Sequence, residues 1–210
     1  MIKKQYKILL FSDLHGDFNA IRKLKKKASS ENVDFCICAG DLTNFSKDMD
    51  RILRELNSFK KTIFIIPGNH EDETELEKAI SRSGKEIHLI LANNRLIEYE
   101  DFIIVGSEVN GFAREDETFE LFAKLVQKEL KNKKYENKKI ILITHAPPYN
   151  TKLDQVYGMQ AGNKSINNFI KKLNPVLAVC GHIHESAGNK QMIGKTLCVN
   201  AGWNGTVVKV

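Results

Sequence analysis

Metal-capable side chains stand in five short motifs of this sequence, and each motif directly follows an apolar run. They are Asp13 and His15, Asp41, Asn69 and His70, His145, and His182 and His184. Of the six histidines in the chain, only His88 lies elsewhere. Imidazole, carboxylate and carboxamide groups together suit first-row divalent metals. If the five motifs meet in space, the chemistry that they support is metal-ion catalysis.

The motif Gly181-His182-Ile183-His184 is the most specific of the five. It follows the apolar run 175–180, and in the turn that Gly181 permits, its two histidines can point at two neighbouring ions. Taken singly, the other motifs also fit a helix cap, a turn or a hydrogen-bonded structural histidine. Their recurrence at strand ends favours one shared site.

Strands alternate with helices through most of the chain, which predicts an α/β fold with parallel strands. Apolar runs predict strands over residues 7–12, 34–39, 62–66, 140–144 and 175–180. Amphipathic spacing predicts five helices, marked by Leu24, Leu53, the range 72–81, Val126 and Phe169. Ligands of open α/β sheets gather beyond the carboxyl ends of strands, so the loops that follow these strands are expected to pool their side chains.

The pattern changes in the middle of the chain, where shorter strands are predicted at 87–91, 95–99 and 102–107. Glu100-Asp101 resembles an antiparallel hairpin turn, so the sheet is expected to be mixed. Two further strands are predicted at 196–199 and 206–210. Because no linker or repeat interrupts the pattern, we predict one domain over residues 1–210.

Composition and apolar runs indicate a soluble globular protein. Hydrophobic residues make up 42% of the chain and charged residues 28%, and no stretch reaches the roughly 20 apolar residues of a membrane span. The run 8–11 is too short for a signal sequence, so we expect a cytoplasmic protein without membrane association. All cysteines lie in apolar runs, and we expect Cys36 and Cys38 to be buried on one side of a sheet.

The net charge of +6 comes mostly from lysine. The densest runs, 22–27 and 128–139, lie on or beside predicted helices and are expected to form solvated faces. The balance favours an anionic substrate. Nucleic acid stays open as a partner, although no binding-module signature accompanies the charge. The oligomeric state is also open, with a homodimer among the alternatives.

The order of the five motifs resembles that of the calcineurin-like metallophosphoesterases, and within them the small phosphodiesterase-like branch of bacteria and archaea. The matching segments are Asp13-x-His15, Gly40-Asp41, Gly68-Asn69-His70-Glu71, Thr144-His145 and Gly181-His182-x-His184. The resemblance implies an α/β fold in four layers, with two mixed β-sheets packed as a sandwich flanked by helices. It also implies two divalent metal ions bridged by an aspartate.

Carried over by the resemblance, the metal ligands fall into two sets that share one aspartate. One ion would be held by Asp13, His15, Asp41 and His184, and the other by Asp41, Asn69, His145 and His182. His70 would stand nearby without ligating. Glu71 follows it where many relatives have aspartate, and we expect this acid to orient or polarise the histidine. Asn200-Ala201-Gly202 stands where the family has Asn-Pro-Gly.

The predicted function is dinuclear metal-dependent hydrolysis of a phosphoester, with a phosphodiester preferred on the resemblance alone. Two divalent ions roughly 3.5–4 Å apart neutralise phosphate oxygens and lower the pKa of bound water. We expect a hydroxide bridged between the ions to attack phosphorus while His70 protonates the leaving oxygen as general acid. We expect manganese, with iron, zinc, cobalt or nickel as alternatives.

Substrate contacts are expected from Asn69, His70 and Arg114, with Asn110 and the Pro147-Pro148-Tyr149 loop at the border of the cleft. The roles of the loops 106–116 and 146–162 are left open. A nuclease that uses the same site is one alternative function. A non-catalytic interaction scaffold of the same fold is another, against which the full set of expected ligands weighs.

Overall fold

The computed structural model describes residues 4–109 and 111–210, and its first sheet contains the strands that precede the first three motifs. These strands are β1 (Lys7–Phe11), β2 (Phe35–Cys38), β3 (Ile63–Ile65), β4 (Leu89–Leu91) and β13 (Thr206–Lys209). In the order β13-β1-β2-β3-β4, strands β1 to β4 are parallel. Strand β13 pairs antiparallel with β1.

The second sheet contains the strands that precede the last two motifs. These are β5 (Arg95–Tyr99), β6 (Phe102–Ser107), β7 (Lys139–Thr144), β10 (Leu177–Cys180), β11 (Lys190–Ile193) and β12 (Thr196–Asn200). Its order is β11-β12-β10-β7-β6-β5, with a parallel centre and an antiparallel strand at each edge. The hairpin predicted at Glu100-Asp101 joins β5 to β6, and the prediction of a mixed sheet is confirmed.

Helices cover the outer face of each sheet. Those packed on the first sheet are α1 (Phe18–Ser30), α2 (Met49–Asn57) and α3 (Glu73–Ser81). Those packed on the second sheet are α4 (Glu117–Glu129) and α5 (Lys164–Leu173). The four-layer order of helices, sheet, sheet and helices agrees with the predicted sandwich.

Strand β1 shows how the sequence produces these layers. Its side chains alternate between two faces, so Leu9 and Phe11 pack against the helices while Ile8 and Leu10 pack between the sheets. Both faces are buried, which is why the strand reads as a continuous apolar run. The prediction that Cys36 and Cys38 face one side is also confirmed, because both pack in the helix-covered layer.

Three short strands carry no apolar run and were not predicted. Strands β8 (Gln155–Val156) and β9 (Met159–Gln160) form a small hairpin, and β11 lies at an edge of the second sheet. No residue of strand β11 is buried, so polar side chains are accommodated there as well as apolar ones. Hydrophobic periodicity detects strands by their burial and misses such edges.

Helix α1 carries the basic run 22–27, and the expected solvated face is confirmed there, since Lys23 and Lys26 are exposed. The Asp17 carboxylate accepts the main-chain N–H of Asn19 and of Ala20, so this acid caps the helix. Within residues 4–109 and 111–210, the structure contains no helix with the length and apolar character of a membrane span.

The loops after β1, β2, β3, β7 and β10 meet across the two sheets. The main-chain N–H of Asp13 donates to the carbonyl of Gly40 at 3.0 Å, which joins the first two loops. The main-chain N–H of Gly181 donates to the carbonyl of His145 at 3.0 Å, which joins the last two. The predicted convergence of five strand ends therefore rests on direct hydrogen bonds between the loops.

Candidate metal centre

Side chains from all five motifs form one continuous cluster. It contains three overlapping groups whose candidate ligand atoms lie within 4.8 Å of one another. The groups are Asp13, His15 and His184; His15, Asp41 and His70; and Asp41, His145 and His182. The first and third groups fall within the two ligand sets that the resemblance implied. The second shows that the His70 ring also lies within ligand reach of Asp41.

In the first group, two histidines from opposite ends of the chain face each other. Nε2 of His15 lies 3.3 Å from Nε2 of His184, although the residues are 169 positions apart. Nε2 of His184 lies 3.7 Å from Oδ1 of Asp13, and Nε2 of His15 lies 3.8 Å from Oδ2 of Asp41. Lone pairs and carboxylate oxygens that converge in this way fit a cation between them.

In the third group, the tautomer of His145 is set by its surroundings. Its Nδ1 lies 2.7 Å from the carbonyl oxygen of Ala39, which can only accept, so Nδ1 carries a proton. Its Nε2 faces two oxygens, Oδ1 of Asn69 at 3.1 Å and Oδ2 of Asp41 at 3.3 Å. A proton or a metal ion must lie among these three atoms, and their chemistry fits a divalent transition metal.

The charge balance of this group favours an ionised aspartate. Burial by itself favours the neutral acid, but the hydrogen bond and the charge of His145 outweigh burial and lower the pKa of Asp41. Burial likewise disfavours the imidazolium of His145, but its hydrogen bond with Asp41 outweighs burial and raises the pKa of His145. Both shifts arise from the same hydrogen-bonded contact between the Asp41 carboxylate and the His145 ring.

His182 completes the third group with an unprotonated ring. Burial, together with the charge of His145, lowers the pKa of His182 to about 4, so its imidazole is neutral at neutral pH. Its Nε2 is buried and has no hydrogen-bond partner among the residues that the structure describes. Because a buried polar atom without a partner is costly, this nitrogen fits a metal ligand that faces its ion.

Four residues of the cluster adopt left-handed backbone conformations that non-glycine residues rarely take. Their φ angles are 55° at Asp13, 43° at His15, 53° at Asp41 and 68° at His182. Conformations of this kind are rare outside glycine and concentrate at functional sites, where surrounding contacts hold them in place. Here the loop-to-loop hydrogen bonds supply those contacts, since His15 and Asp13 each donate a main-chain N–H to the loop after β2.

The sequence predicts that Gly181 permits the turn of its motif, but the structure gives this glycine a different role. The left-handed residue of the motif is His182, and Gly181 is needed because a Cβ there would lie 2.6 Å from Oδ2 of Asp13. The main-chain N–H of His182 also donates to both oxygens of Asp13, at 3.0 and 3.2 Å. The glycine therefore permits close approach of the two loops and does not supply a special φ angle.

The expectation that Glu71 orients or polarises His70 is wrong. Its Oε2 accepts the main-chain N–H groups of Asp41 and Gly68, both at 3.0 Å. Its Oε1 accepts the main-chain N–H and the hydroxyl of Thr43, both at 2.8 Å. The Glu71 side chain therefore ties the loop after β2 to the loop after β3, and its longer side chain reaches main-chain donors away from the imidazole.

His70 is held at the edge of the cluster by its backbone and by two neighbouring rings. Its main-chain N–H donates to Oδ1 of Asp41 at 3.1 Å. Its ring centroid lies 4.8 Å from that of His15 and 4.4 Å from that of Phe45. The imidazole is half-buried, so one side reaches the solvent from which a substrate would enter.

Among the expected substrate contacts, Asn69 and Arg114 differ in position. Asn69 is exposed and places its amide oxygen on His145 inside the cluster. Arg114 is also exposed, but its guanidinium donates to the Tyr149 hydroxyl at 3.1 Å and lies over that ring. Its role toward a substrate stays a prediction. Asn110 lies outside the described residues.

Two buried residues position loops near the site; the sequence named Asn200 only as part of the segment that resembles the family's Asn-Pro-Gly, and it did not single out Asp154. The Asn200 amide donates to the carbonyl oxygens of Gly181 at 3.2 Å and Ile183 at 2.9 Å, which fixes the loop after β10. The Asp154 carboxylate accepts the main-chain N–H of Thr151 at 2.9 Å and of Gly162 at 2.9 Å, which folds the 146–162 loop back on itself. A polar residue that stands alone in a loop gives no periodic pattern, so only these contacts reveal the two roles.

The sequence also matches known proteins over most of its length. The family described as calcineurin-like phosphoesterase matches residues 6–186. The uncharacterized protein MJ1162 of Methanocaldococcus jannaschii is 33% identical over 216 residues, which cover 94% of this chain and 88% of that protein. The probable glycerophosphodiester phosphodiesterase GpdQ of Arcobacter nitrofigilis is 28% identical over 198 residues. That match covers 85% of this chain and 64% of the relative's length.

A solved structure shares the fold at low sequence identity. The crystal structure of TT1561 of Thermus thermophilus superposes with a TM-score of 0.77, at 18% identity and with 99% of each chain covered. The fold, the five motifs at the strand ends and the family match over residues 6–186 agree with one another. This chain belongs to the calcineurin-like phosphoesterase family.

Proposed function

We propose that this protein is a dinuclear metal-dependent phosphodiesterase. The observation that carries the proposal is the position of Asp41, which lies in the group with His15 and also in the group with His145 and His182. Oδ2 of Asp41 lies 3.8 Å from Nε2 of His15 and 3.3 Å from Nε2 of His145, so one carboxylate oxygen faces ligands of both sets. Asp41 is therefore suited to bridge two ions, as the two overlapping ligand sets require.

The remaining ligands divide between the two ions by position. Asp13, His15 and His184 would hold one ion with Asp41, while Asn69, His145 and His182 would hold the other. When bound, the two ions supply charge to neutralise phosphate oxygens and acidity to activate a water molecule. Two carboxylates against two divalent ions leave the cluster positive, which suits a small anionic phosphoester as substrate.

His70 is the residue of this chain that we assign to proton transfer. Its ring stands beside Asp41 and His15 and reaches the solvent-facing side of the cluster. The leaving alkoxide of a phosphoester needs a proton, and histidine is the side chain that most often supplies one as a general acid. The fixed main-chain hydrogen bond to Asp41 keeps His70 in position while its ring donates.

Support for a diester substrate comes from the name of one relative and from the space around the cluster. The relative from Arcobacter nitrofigilis is named as a probable glycerophosphodiester phosphodiesterase, and this chain spans 64% of its length. A diester carries one negative charge and two ester groups, so it needs less charge neutralisation than a monoester and more room around the phosphate. The side of the cluster that is formed by exposed Asn69 and His184 and by half-buried His70 leaves such room.

The proposal is tested by metal content and turnover of the wild type and of Asp41→Asn. We expect the wild type, loaded with manganese, to bind two equivalents and to hydrolyse bis-nitrophenyl phosphate faster than nitrophenyl phosphate. Asp41→Asn should lose bound metal and activity together, because a neutral carboxamide lacks the negative charge that a ligand shared by two cations supplies. Asp50→Asn, on the exposed surface of α2, is the matched control and should keep both.

Three outcomes would contradict parts of the proposal. Full retention of two ions in Asp41→Asn would refute the bridge. A faster rate with the monoester would replace the diester assignment. Hydrolysis only of DNA or RNA, with binding that weakens steeply as salt rises, would favour the nuclease alternative.

A further inference from the structure

Three exposed aromatic rings surround the metal-ligand cluster, and each packs on one of its histidines. The ring centroid of Phe45 lies 4.4 Å from that of His70. The centroid of Phe112 lies 4.8 Å from that of His182, and the centroid of Trp203 lies 5.8 Å from that of His184. We call Phe45, Phe112 and Trp203 the aromatic rim.

The exposed aromatic residues are concentrated at the cluster and are not distributed evenly over the surface. Four large aromatic side chains are exposed within the described part of the chain, and three of them form the rim; the fourth is Tyr157. The rim residues follow three different strands, β2, β6 and β12, so no local sequence pattern accounts for their meeting. Single exposed apolar residues are ordinary, but a concentration of them at one site indicates binding.

The rings also form a continuous path along the cluster. From Phe45 the path runs through His70, His15 and His184 to Trp203, with centroid distances of 4.4, 4.8, 5.2 and 5.8 Å. Each rim ring contacts a histidine and also exposes surface to solvent, since Phe45 is 79% exposed, Phe112 63% and Trp203 37%.

Phe45 is held in a backbone conformation that a bulky residue rarely adopts. Its φ angle is 51°, and the next residue, Ser46, has a φ of 59°. The main-chain N–H of Ser46 donates to the carbonyl oxygen of His70 and to the Thr43 hydroxyl, at 3.1 and 3.0 Å. The loop therefore holds Phe45 over His70 against the preference of its backbone, a cost that folding alone does not require.

We propose that the aromatic rim binds the base of a nucleoside phosphoester and so selects this substrate class. The inference rests on the proposed function, because it needs the phosphate at the cluster. A planar base stacks on exposed aromatic faces, and every base offers such a face. An aliphatic ester group such as glycerol offers no planar ring, so the rim gives it no stacking contact.

Two esters that share a leaving group and a charge test the substrate class. Thymidine 5′-nitrophenyl phosphate and methyl nitrophenyl phosphate differ only in the group that stays on the phosphate. We expect the wild type to have a kcat/KM at least about tenfold higher for the thymidine ester. This ratio corresponds to the lower part of the range of stacking free energies between a base and an aromatic side chain. Equal values for the two esters would overturn the rim proposal and leave the phosphodiesterase intact.

Rim variants should reduce this ratio of kcat/KM values. Phe45→Leu keeps an apolar side chain without a ring, and Phe112→Ala removes the ring on His182; we expect each to lower the ratio several-fold. Tyr157→Ala is the matched control, since Tyr157 is 90% exposed and does not belong to the rim. A ratio unchanged in both rim variants, or lowered equally in the control, would contradict the proposal.

A binding measurement separates failure of the rim from failure of catalysis. Trp203 is the only tryptophan in the chain, so intrinsic tryptophan fluorescence reports on the rim directly. We expect adenosine 5′-monophosphate to change this fluorescence at concentrations at which glycerol 3-phosphate does not, and Phe45→Leu to weaken the response. A fluorescence response to adenosine 5′-monophosphate alone, in a protein without phosphoesterase turnover, would refute the proposed function but support base binding by the rim. An identical response to both ligands would refute base binding by the rim.

Discussion

The Asp41 carboxylate makes three contacts in the cluster. It accepts the main-chain N–H of His70, faces Nε2 of His145 at 3.3 Å, and lies 3.8 Å from Nε2 of His15. The main-chain N–H of Asp41 is held by Glu71. A substitution at this residue therefore changes metal affinity and loop position together, which is why the conservative Asp41→Asn is a better probe than removal of the side chain.

At the scale of single residues, His70→Ala tests the proton donor. We expect a loss of about 10²-fold or more with substrates that have poor alkoxide leaving groups, the range that general acid catalysis contributes. The loss should be much smaller with nitrophenyl esters, since nitrophenolate leaves without a proton. The measurement is kcat for both substrate types, with metal content determined for the same protein.

The matched control for this prediction is His88→Ala, which removes the one histidine that lies outside the five motifs. It should leave both rates unchanged. An equal loss for both leaving groups in His70→Ala would remove His70 from the acid role and indicate a positioning role beside Asp41.

At the scale of elements, the site depends on loops held in fixed relation by side-chain hydrogen bonds, in which Glu71 accepts and Asn200 donates. Glu71 joins the loop after β2 to the loop after β3, and Asn200 fixes the loop after β10. The strands place these loops at one end of each sheet, but the candidate ligand residues lie in the loops and not in the strands. The precision of the ligand positions therefore comes from the hydrogen bonds between loops and not from the sheets alone.

Glu71→Gln tests this dependence on loop hydrogen bonds. The amide puts an NH2 group where an oxygen now accepts main-chain N–H groups, so at least one donor loses its partner. We expect the free energy of unfolding to fall by about 2 kcal/mol, because a lost bond to a charged acceptor costs about 1.5–3 kcal/mol. Affinity for manganese should fall as well, since Asp41 is one of the residues that Glu71 holds.

Denaturant unfolding and metal titration of the same samples measure the two effects. Glu75→Gln makes the same chemical change at an exposed position of α3 and should alter neither quantity strongly. A Glu71→Gln protein with wild-type stability and metal affinity would show that the loops hold their positions without this carboxylate.

At the scale of the whole molecule, ligands come from loops of both sheets, so metal binding should stabilise the two sheets together. We predict one cooperative thermal transition for residues 1–210, as expected of a single domain. Each manganese ion, at about 100 times its dissociation constant, should add about 2.7 kcal/mol. For a chain of this length that corresponds to a rise in Tm of roughly 5–10 °C for each ion bound.

Calorimetry with and without manganese measures the transition, and calcium serves as the matched control because imidazole ligands suit it poorly. Two separate transitions would contradict the single domain. A calcium effect as large as that of manganese would contradict a site built mainly from histidines.

The sequence by itself determined the α/β class, most strands and helices and the membership of the cluster, while the two-sheet, four-layer order was implied only by the resemblance to the family. Strands such as β1 are buried on both faces, so their apolar runs are visible without any structure. The ligand types also lie directly after those runs. Local periodicity was sufficient for these elements because it is a property of short segments, and the rule that ligands gather at the carboxyl ends of strands then brought the five motifs together.

Only the tertiary structure decided which atoms meet between the loops. It showed that Glu71 binds main-chain donors, that Gly181 is required by the approach of Asp13, and that Phe45 and Trp203 lie at the cluster. His15 and His184 contact each other across 169 positions of sequence. Loop conformations carry no periodic pattern, and contacts between distant loops depend on the packing of every element that separates them, so spacing along the chain does not encode them.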